Sequence, residues 1–377
     1  MLTTFKNDFS MKILEILFTL ASGGAERFAV DLSNELSKTN DVVLITLKND
    51  AVDIETRNFY KFDLDKRVKY KNLGLPDGGY FSTEWKIYQA IKQEKPDIVH
   101  LHGGRMNVFC FMAITLLHRK IKFFQTIHND LHNGYDKGLN KFVYTTFGRV
   151  KKFHCAALSP KNYEDLRALY PNLDVKCITN GRAKMELTDL YADVKNEMES
   201  FRTNKDTKLF VHVARCAKDK NQNLLIDGFN ELKKQGRNVS LVIIGMGYDS
   251  AEGKNLQAKA DNHIHFIGPH KNIADYLACA DAFTLSSTFE GMPITLLEAS
   301  LMGLPLISTP VCGAVDIIQN GKNGILSDDF TLNAYIKALN YVIDNHKNLK
   351  EQAVIMAKKS PYTIEICAKK YVDFFKS

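Results

Sequence analysis

The amino-acid sequence predicts an α/β protein built from two doubly wound parallel-sheet domains. Short apolar runs alternate with amphipathic stretches, which is the βα rhythm of parallel sheets. This rhythm stops once, in a polar stretch, and then starts again. The chain has 377 residues, of which 45% are hydrophobic and 25% are charged, so two domains can each bury a core.

In the first half, six apolar runs are predicted strands and the amphipathic stretches between them are predicted helices. The strands are 13–20, 42–47, 98–102, 122–127, 154–158 and 175–179, and the helices include 25–38, 85–93 and 163–169. The first run resembles a signal peptide, but Glu15 interrupts it. We therefore expect a buried first strand, preceded by an extension at residues 1–10.

A polar stretch from Lys184 to Lys208 follows the turn signal Asn180-Gly181, so we place the domain boundary there. The predicted strands of the second half are 209–214, 239–245, 263–267, 282–286 and 304–308, and its helices include 223–234, 273–279 and 294–302. We expect the two domains to face each other across a cleft. Ligands of such sheets bind beyond the carboxyl ends of the strands.

Charge and cysteine content narrow the function classes. The formal net charge is +7, and basic and acidic residues balance after Arg182, so the basic excess lies before it. Such a surface attracts acidic lipid, phosphorylated substrates or nucleic acid, although solvated basic faces also arise by chance. The 7 cysteines are scattered without a CxxC pair, which argues against a disulfide framework or a structural zinc site and favours a reducing cytosol.

The segment from Phe289 to Glu298 has the most specific pattern. It reads FEGMPITLLE, follows a predicted strand and opens a predicted helix. Pro293 suits the first helical position, and the amides and positive dipole end of a helix start favour an anion. Glu290 and Glu298 would repel a bare phosphate, but they can accept hydrogen bonds from hydroxyls. The segment therefore predicts a site for a sugar joined to a nucleoside diphosphate; the simpler interpretation is two unrelated glutamates.

Two other strand ends fit an anionic ligand. Arg215 and Lys220, after the first strand of the second half, could neutralise a diphosphate, Arg215 by forking onto two oxygens. Gly23 and Gly24, after the first strand of the chain, let the backbone approach a ligand ahead of a helix N-terminus. An ordinary basic loop and an ordinary tight turn would show the same residues.

Three histidines lie at the ends of predicted strands, at His100, His102 and His128. Strand alternation puts His100 and His102 on one face. Two such histidines could bind a metal, but the sequence shows no third ligand nearby, so we predict hydrogen bonds to substrate or structure and no metal site.

Two further patterns are rejected as sites. GMG at 245–247 begins like a dinucleotide fingerprint, but Ser250 stands at the third glycine position. Asp63 and Asp65 resemble a metal-binding pair of carboxylates. They lie in the charged stretch 61–71, which favours a solvated loop.

Taken together, these segments resemble the retaining family 4 glycosyltransferases, which have the GT-B fold. The resemblance covers nearly the whole chain, in order, and its most specific part is the pair Glu290 and Glu298 around Gly-Met-Pro. Its other parts are GGAER at 23–27, DIVHLH at 97–102, NG at 180–181, Arg215 with Lys220, IGMG at 244–247, FIG at 266–268 and GKNG at 321–324. The family usually has Gly before its motif arginine, where this chain has Ala214.

The resemblance implies a role for each matching residue. Arg215 and Lys220 would hold the donor diphosphate and assist its departure, and Glu290 would bind hydroxyls of the donor sugar. His102 would contact the sugar near the reacting carbon. On the donor side the resemblance also implies Glu298 at the ribose, the backbone of Gly291, Met292, Pro293 and Ile294, the glycines Gly23, Gly24 and Gly245, and His270 near the base. On the acceptor side it implies His100 and His128.

The family's activity implies transfer of a hexose or N-acetylhexosamine from a nucleotide-diphosphate sugar, with UDP preferred on family frequency and GDP next. The acceptor hydroxyl would attack on the face from which the diphosphate leaves and give it the proton, with no metal or other cofactor. The resemblance makes 1–183 the acceptor-binding domain, 184–359 the nucleotide-sugar-binding domain and 360–377 a helix that crosses back to the first.

Acceptors of the family include glycans and lipid-linked oligosaccharides. The basic first half then predicts a cytoplasmic protein, peripheral at the inner face of the cell membrane, that builds a surface polysaccharide such as capsule or lipopolysaccharide. Alternatives are a sugar-nucleotide epimerase or hydrolase of the same fold and a non-catalytic binding protein that has kept it. No basic stretch interleaved with aromatic residues supports a nucleic-acid partner.

Overall fold

A computed structural model describes residues 10–50, 57–76, 80–128, 137–148 and 153–377. These residues form two compact units. The first consists of the described residues up to Ala183 together with Tyr362–Ser377, and the second is Lys184–Pro361. Most of the expected extension at residues 1–10 lies outside the described residues.

The first unit contains a seven-stranded parallel sheet in the order β3-β2-β1-β4-β5-β6-β7. Its strands are β1 (Lys12–Leu17), β2 (Asp41–Lys48), β3 (Lys69–Leu75), β4 (Ile98–His102), β5 (Lys122–Ile127), β6 (Phe153–Ala157) and β7 (Asp174–Cys177). The chain runs from β1 outward to one edge and then from β4 to the other, which is the doubly wound arrangement.

The helices that connect these strands are α1 (Gly24–Leu36), α2 (Tyr80–Glu94), α3 (Met106–Phe109), α4 (Phe111–Leu117), α5 (Gly138–Phe147) and α6 (Pro160–Leu169). Helices α2 to α6 pack with the sheet around one apolar core that includes Phe123, Tyr144 and Phe153. The start of α6 shows how local sequence fixes an end. Ser159 accepts a hydrogen bond from the backbone N–H of Asn162, and Pro160 needs no partner at the first helical position.

The second unit contains a six-stranded parallel sheet in the order β10-β9-β8-β11-β12-β13. Its strands are β8 (Lys208–Val213), β9 (Val239–Ile244), β10 (Ile264–Phe266), β11 (Ala282–Leu285), β12 (Leu306–Ser308) and β13 (Gly324–Leu326). Its helices are α7 (Tyr191–Ser200), α8 (Gln222–Lys234), α9 (Ala251–Lys259), α10 (Ile273–Cys279), α11 (Ile294–Leu301), α12 (Ala314–Ile317), α13 (Leu332–Asp344) and α14 (His346–Ala357). This sheet is doubly wound as well.

The last helix, α15 (Ile364–Lys376), belongs to the first unit. Its buried face contributes Tyr371, Phe374 and Phe375. The ring of Phe124 on β5 lies 4.9 Å from that of Phe374 and 4.8 Å from that of Phe375. Burying each of these side chains contributes about 1.5–3 kcal/mol, so α15 is an integral part of the first core.

The structure confirms the fold class, two doubly wound parallel-sheet domains, and corrects three details. Strand β3 lies partly inside the stretch 61–71 that was predicted to be a solvated loop, and α7 lies inside the polar stretch 184–208. Strand β13 was not predicted, because its three residues begin with a glycine and show no period. No helix within the described ranges combines the length and the apolarity that crossing a bilayer requires.

Candidate functional site

Two loops of the second unit bring its charged residues together. Strands β8 and β11 are parallel neighbours, so the loops that follow them leave the same edge of the sheet. The loop after β8 holds Arg215 and ends in a turn of 3₁₀ helix, Lys218–Lys220. The loop after β11 holds Glu290. Thr288 N–H donates to the carbonyl of Asp219 at 2.9 Å, which joins the two loops.

Lys220 and Glu290 form an ion pair at this edge. Lys220 Nζ lies 2.7 Å from Glu290 Oε1, and the same oxygen accepts a hydrogen bond from Ser287 Oγ at 2.7 Å. Ser286 Oγ donates to the carbonyl of Lys220 at 2.8 Å, which fixes the backbone beneath the pair. Arg215, by contrast, is exposed, and its guanidinium has no hydrogen-bond or ion-pair partner among the described residues. The loop after β8 therefore presents the unpaired guanidinium of Arg215 as well as the paired ammonium of Lys220.

The segment 291–293 leads from this edge into α11. Pro293 was predicted to be the first helical residue, but it is the N-cap of α11, and Ile294 begins the helix. Gly313 packs against the segment: a Cβ added there would lie 2.7 Å from Met292 Cα and 2.8 Å from the carbonyl oxygen of Gly291. The backbone before α11 therefore packs against position 313, where any residue other than glycine would displace that backbone.

Glu298 lies on α11, eight positions after Glu290, and is buried. A buried carboxylate is stable only with polar partners. Its position on the helix that begins at 294 keeps it in the same unit as Lys220 and Arg215.

Gly245 and His270 follow the neighbouring strands β9 and β10. Gly245 has a φ of +157°, and a Cβ there would lie 2.0 Å from the carbonyl oxygen of Ala214. The chain after β9 can therefore lie this close to the chain after β8 only if residue 245 is glycine. The ring of His270 is half-buried, with Nε2 3.0 Å from the carbonyl of Ile267 and the ring 4.8 Å from that of Tyr276. Both residues shape the turns at this edge.

The predicted residues of the first unit form a second group, around the end of β4. His102 Nε2 lies 2.6 Å from Glu15 Oε2, and His102 Nδ1 lies 3.1 Å from His128 Nε2. His100 Nδ1 lies 2.8 Å from the same Glu15 oxygen, and His100 Nε2 lies 2.8 Å from Thr126 Oγ1. His100 and His102 are therefore on one face of β4, as predicted, but both have protein partners.

Burial sets the protonation of this group. Burial would raise the pKa of Glu15, but its contacts with His100 and His102 outweigh that effect and lower the pKa to about 2. Burial lowers the pKa of His102 to about 4 and that of His128 well below its ordinary value. At neutral pH the group is thus an ionised carboxylate with neutral rings at His102 and His128.

The expectation that no third metal ligand lies near His100 and His102 is wrong, since Glu15 lies against both. Glu15 on β1 and His100 on β4 are directly opposite in the parallel register, which brings together residues far apart in sequence. Ligands that share one zinc ion, at about 2.1 Å each, lie more than about 3 Å from one another. The observed distances of 2.6 and 2.8 Å are shorter than that spacing, so in this arrangement the side chains contact one another rather than share a zinc ion.

The turn with Gly23 and Gly24 begins α1 in the same unit. Gly23 is the N-cap, with extended backbone, and Gly24 is the first helical residue. Further along α1, Phe28 packs its ring 6.0 Å from His102 and 5.6 Å from His128. Helix α1 therefore holds the histidine rings in place.

Sequence reasoning missed Glu15, Ser287 and Gly313. A signal for Glu15 was present, because an acidic residue within a buried strand needs buried polar partners. Gly313 had none, since it is defined by its contact with the segment 291–293, which forms only when the sheet assembles. Ser287 had none either, because its hydrogen bond to Glu290, three residues on, depends on the conformation of the loop after β11.

Known proteins share both halves of this chain. Residues 22–182 match the model described as Glycosyltransferase Family 4, and residues 193–360 match the one described as Glycosyl transferases group 1. An α-1,4-N-acetyl-D-galactosaminyltransferase of Campylobacter jejuni, named for a PP-undecaprenol-linked acceptor, is 25% identical over 94% of this chain and 95% of its own. CapH of Staphylococcus aureus, a capsular polysaccharide biosynthesis glycosyltransferase, is 23% identical over 90% and 92%.

Solved structures agree in fold. Anabaena HepE in complex with UDP-glucose has a TM-score of 0.77 and 17% identity, covering 97% of this chain and 99% of that one. The fold predicted as GT-B is thereby confirmed. Since the two family models match consecutive parts that make up most of the sequence, the chain belongs to the family 4 glycosyltransferases.

Proposed function

We propose that the protein is a retaining glycosyltransferase that moves a hexose or N-acetylhexosamine from a UDP-sugar to a hydroxyl of a glycan or lipid-linked acceptor in surface polysaccharide biosynthesis. The observation behind this proposal is the ion pair of Lys220 and Glu290, which joins the loop that holds Arg215 to the segment that leads into α11. This edge of the second sheet offers two cations, a helix N-terminus and the carboxylate of Glu290.

The diphosphate of the donor is assigned to Arg215, Lys220 and the amides before α11. The positive end of a helix and its unpaired N–H groups favour an anion, and a guanidinium can fork onto two phosphate oxygens. Lys220 is paired with Glu290. Because an ammonium has three donors, it can keep that bond and still donate to a phosphate.

The two carboxylates are assigned to hydroxyls of the donor. Glu290, held by Lys220 and Ser287, would accept from the sugar, and buried Glu298 would accept from the ribose. A donor has hydroxyls on both sides of its phosphates, which matches carboxylates on both sides of the start of α11. The complex of HepE with UDP-glucose and the names of the Campylobacter and Staphylococcus relatives support a UDP-sugar and a polysaccharide or lipid-linked acceptor.

The proposed mechanism is a front-face displacement with retention. The acceptor hydroxyl attacks the anomeric carbon on the side from which the diphosphate leaves, and the departing phosphate takes the proton. Arg215 and Lys220 stabilise the negative charge on the leaving group, which is the part a divalent cation plays elsewhere, so we propose no metal requirement. His102, His100 and His128 are assigned to the first, acceptor-binding unit.

A surface of the first unit fits the proposed membrane association. Leu116 on α4 and Leu139 and Phe142 on α5 are 60%, 55% and 57% exposed. The ring of Phe111 on α4 lies 6.3 Å from that of Phe142, so the two helices are adjacent. The basic residues on and beside these helices are Arg119, Lys120, Lys137 and Lys141, and neither helix has an acidic residue. Apolar side chains with basic residues beside them are suited to an anionic lipid surface.

The donor site is tested by thermal stability with a panel of nucleotides and nucleotide sugars, because a ligand that binds the native state raises the melting temperature. Wild type is compared with Glu298→Ala and with Glu252→Ala on α9 as the control. We expect UDP to stabilise wild type and the control, and Glu298→Ala to respond less. No shift with any nucleotide would overturn the proposed function; a shift with GDP alone would change the base.

The transfer itself is tested with the matching sugar nucleotide and a glycan or lipid-linked acceptor. The anomeric coupling of the product by NMR reports retention, and equal rates with and without EDTA report metal independence. Release of free sugar, or epimerisation of the donor without an acceptor, would favour a hydrolase or epimerase of the same fold.

The membrane surface is tested by sedimentation with vesicles of phosphatidylcholine alone or mixed with phosphatidylglycerol. We expect binding to the anionic vesicles at low salt, reduced by Phe142→Ser and by Lys141→Glu but not by Ile355→Ser, an exposed apolar residue of the second unit. Equal binding to both vesicle types, or none, would rule out this part of the proposal.

A further inference from the structure

Glu15 is a fully buried carboxylate that the sequence motifs do not explain. It lies on β1, an inner strand of the sheet, and its Oε2 is the hydrogen-bond partner of His102 Nε2 at 2.6 Å. Although burial raises its pKa, the contacts with His100 and His102 outweigh that effect and lower it to about 2, so Glu15 is ionised at neutral pH. An ionised carboxylate only accepts hydrogen bonds, so His102 Nε2 must bear a hydrogen.

The hydrogen on His102 Nε2 determines which nitrogens of His102 and His128 are protonated. Burial keeps His102 neutral at neutral pH, because its pKa falls to about 4, so its Nδ1 is bare and accepts from His128 Nε2 at 3.1 Å. His128 is neutral as well, since burial lowers its pKa. Its own Nδ1 is then bare, and Nδ1 has no hydrogen-bond partner among the described residues.

The chain of hydrogen bonds ends at the ring with the greatest exposure. His100 and Glu15 are fully buried, His102 is 2% exposed, and His128, just past the carboxyl end of β5, is 9% exposed. Phe28 packs edge-on against His102 and His128 and hinders their rotation. The group can therefore offer a ligand a bare ring nitrogen in a fixed orientation, at the end of the sheet where ligands of such folds bind.

We propose that Glu15 is a positioning residue that, through His102, holds His128 Nδ1 as a hydrogen-bond acceptor for a hydroxyl of the sugar donor or acceptor. This inference rests on the proposed function for the identity of the ligand, but not for the state of the rings. A bare Nδ1 makes the site select ligand groups that donate a hydrogen bond. A sugar hydroxyl would bind there, whereas a ligand with an ether or carbonyl oxygen in its place would not. No proton is transferred to His128, in keeping with a leaving phosphate that takes it.

The state of the rings is measured by two-bond ¹H–¹⁵N correlation spectra of the full chain, in which bare and protonated ring nitrogens resonate far apart. In wild type we expect His102 and His128 to be protonated at Nε2 and bare at Nδ1. In Glu15→Leu, His102 loses its acceptor, so we expect its proton to move to Nδ1 and that of His128 to follow. His212 of the second unit, whose Nδ1 donates to the carbonyl of Thr284, is the internal reference and should not change.

Measurements of turnover and of UDP binding then separate the role of Glu15 from the proposed function. We expect Glu15→Leu to lower turnover about tenfold, as for the loss of one hydrogen bond of about 1.4 kcal/mol, while the thermal shift with UDP stays that of wild type. Glu15→Gln, which keeps an acceptor oxygen, should restore the wild-type tautomers if the leucine variant folds poorly. A wild-type His128 protonated at Nδ1, or zinc that displaces the Nε2 proton of His102, would overturn the inference. Loss of the UDP response in wild type would instead overturn the proposed function and leave the tautomers standing.

Discussion

Replacing Gly313 by alanine tests how the backbone before α11 is held. Gly313 has a φ of +73°, and the added Cβ would lie 2.7 Å from Met292 Cα and 3.0 Å from Pro293 Cδ. The left-handed backbone alone costs alanine roughly 1–2 kcal/mol. An ordinary contact of about 3.4 Å requires the segment to move by roughly 0.7 Å, and overpacking of this kind costs about 1–3 kcal/mol more.

Gly236 is the matched control, because its φ is +76° and nothing lies within 4 Å of its added Cβ. Gly236→Ala should therefore cost only the backbone part, which for a unit of this size lowers the melting temperature by about 3–6 °C, against about 6–15 °C for Gly313→Ala. Since amides that move by roughly 0.7 Å lose most of their hydrogen bonding to an anion, Gly313→Ala should also weaken UDP about tenfold.

The assay is differential scanning fluorimetry of both variants with and without UDP, with affinities from calorimetry. If Gly313→Ala matched Gly236→Ala in melting temperature and in UDP affinity, the segment 291–293 would not be held by Gly313 or would not bind the nucleotide.

Three further predictions concern charge. Lys220→Met should weaken the binding of UDP at least tenfold, because a charge-assisted hydrogen bond contributes about 1.5–3 kcal/mol. The affinity for uridine, which has no diphosphate, should not change when both are measured by calorimetry. Equal losses of affinity for both ligands would contradict a contact with the diphosphate. Asp31→Asn should lower the free energy of unfolding in urea by about 3 kcal/mol, because Asp31 is buried between Arg27 and Arg182 at 2.5 and 2.6 Å. Asp65→Asn is the control and should change that free energy little, because the partner of Asp65, Arg67, is exposed. Similar urea midpoints for the two variants would refute this prediction. The folded pKa of His102, about 4, lies below the ordinary value of 6.5 because the ring is buried, so the unfolded chain takes up a proton first as pH falls. The free energy of unfolding should therefore fall between pH 6.5 and 4, by up to about 3 kcal/mol from this residue, and less in His102→Asn when unfolding is followed across that range.

The sequence was sufficient where a pattern is local. Alternating apolar runs located β4 and β5 at their observed bounds, and Gly-Met-Pro located the start of α11 within one residue. It was insufficient for β3, where the exposed Lys69 and Lys71 face away from the core and break the apolar run.

The same limit applies to the two groups of site residues, whose members could be predicted but whose contacts could not. Glu290 and Lys220 were predicted separately from their strand ends, but their ion pair depends on β8 lying next to β11. The contact of Glu15 with His100 depends on the register of β1 against β4. Register and strand order are properties of the assembled sheet, and no spacing within one segment encodes them.

The return of α15 to the first unit determines the order in which a nascent chain can finish folding. The second unit is continuous in sequence and can be completed once Pro361 has left the ribosome. The first unit lacks Tyr371 and Phe375, the neighbours of Phe28, His100 and Phe124, until α15 has been synthesised as well. The unit synthesised first is therefore the last to close. A premature stop codon before residue 362 would remove part of the N-terminal core rather than a dispensable tail.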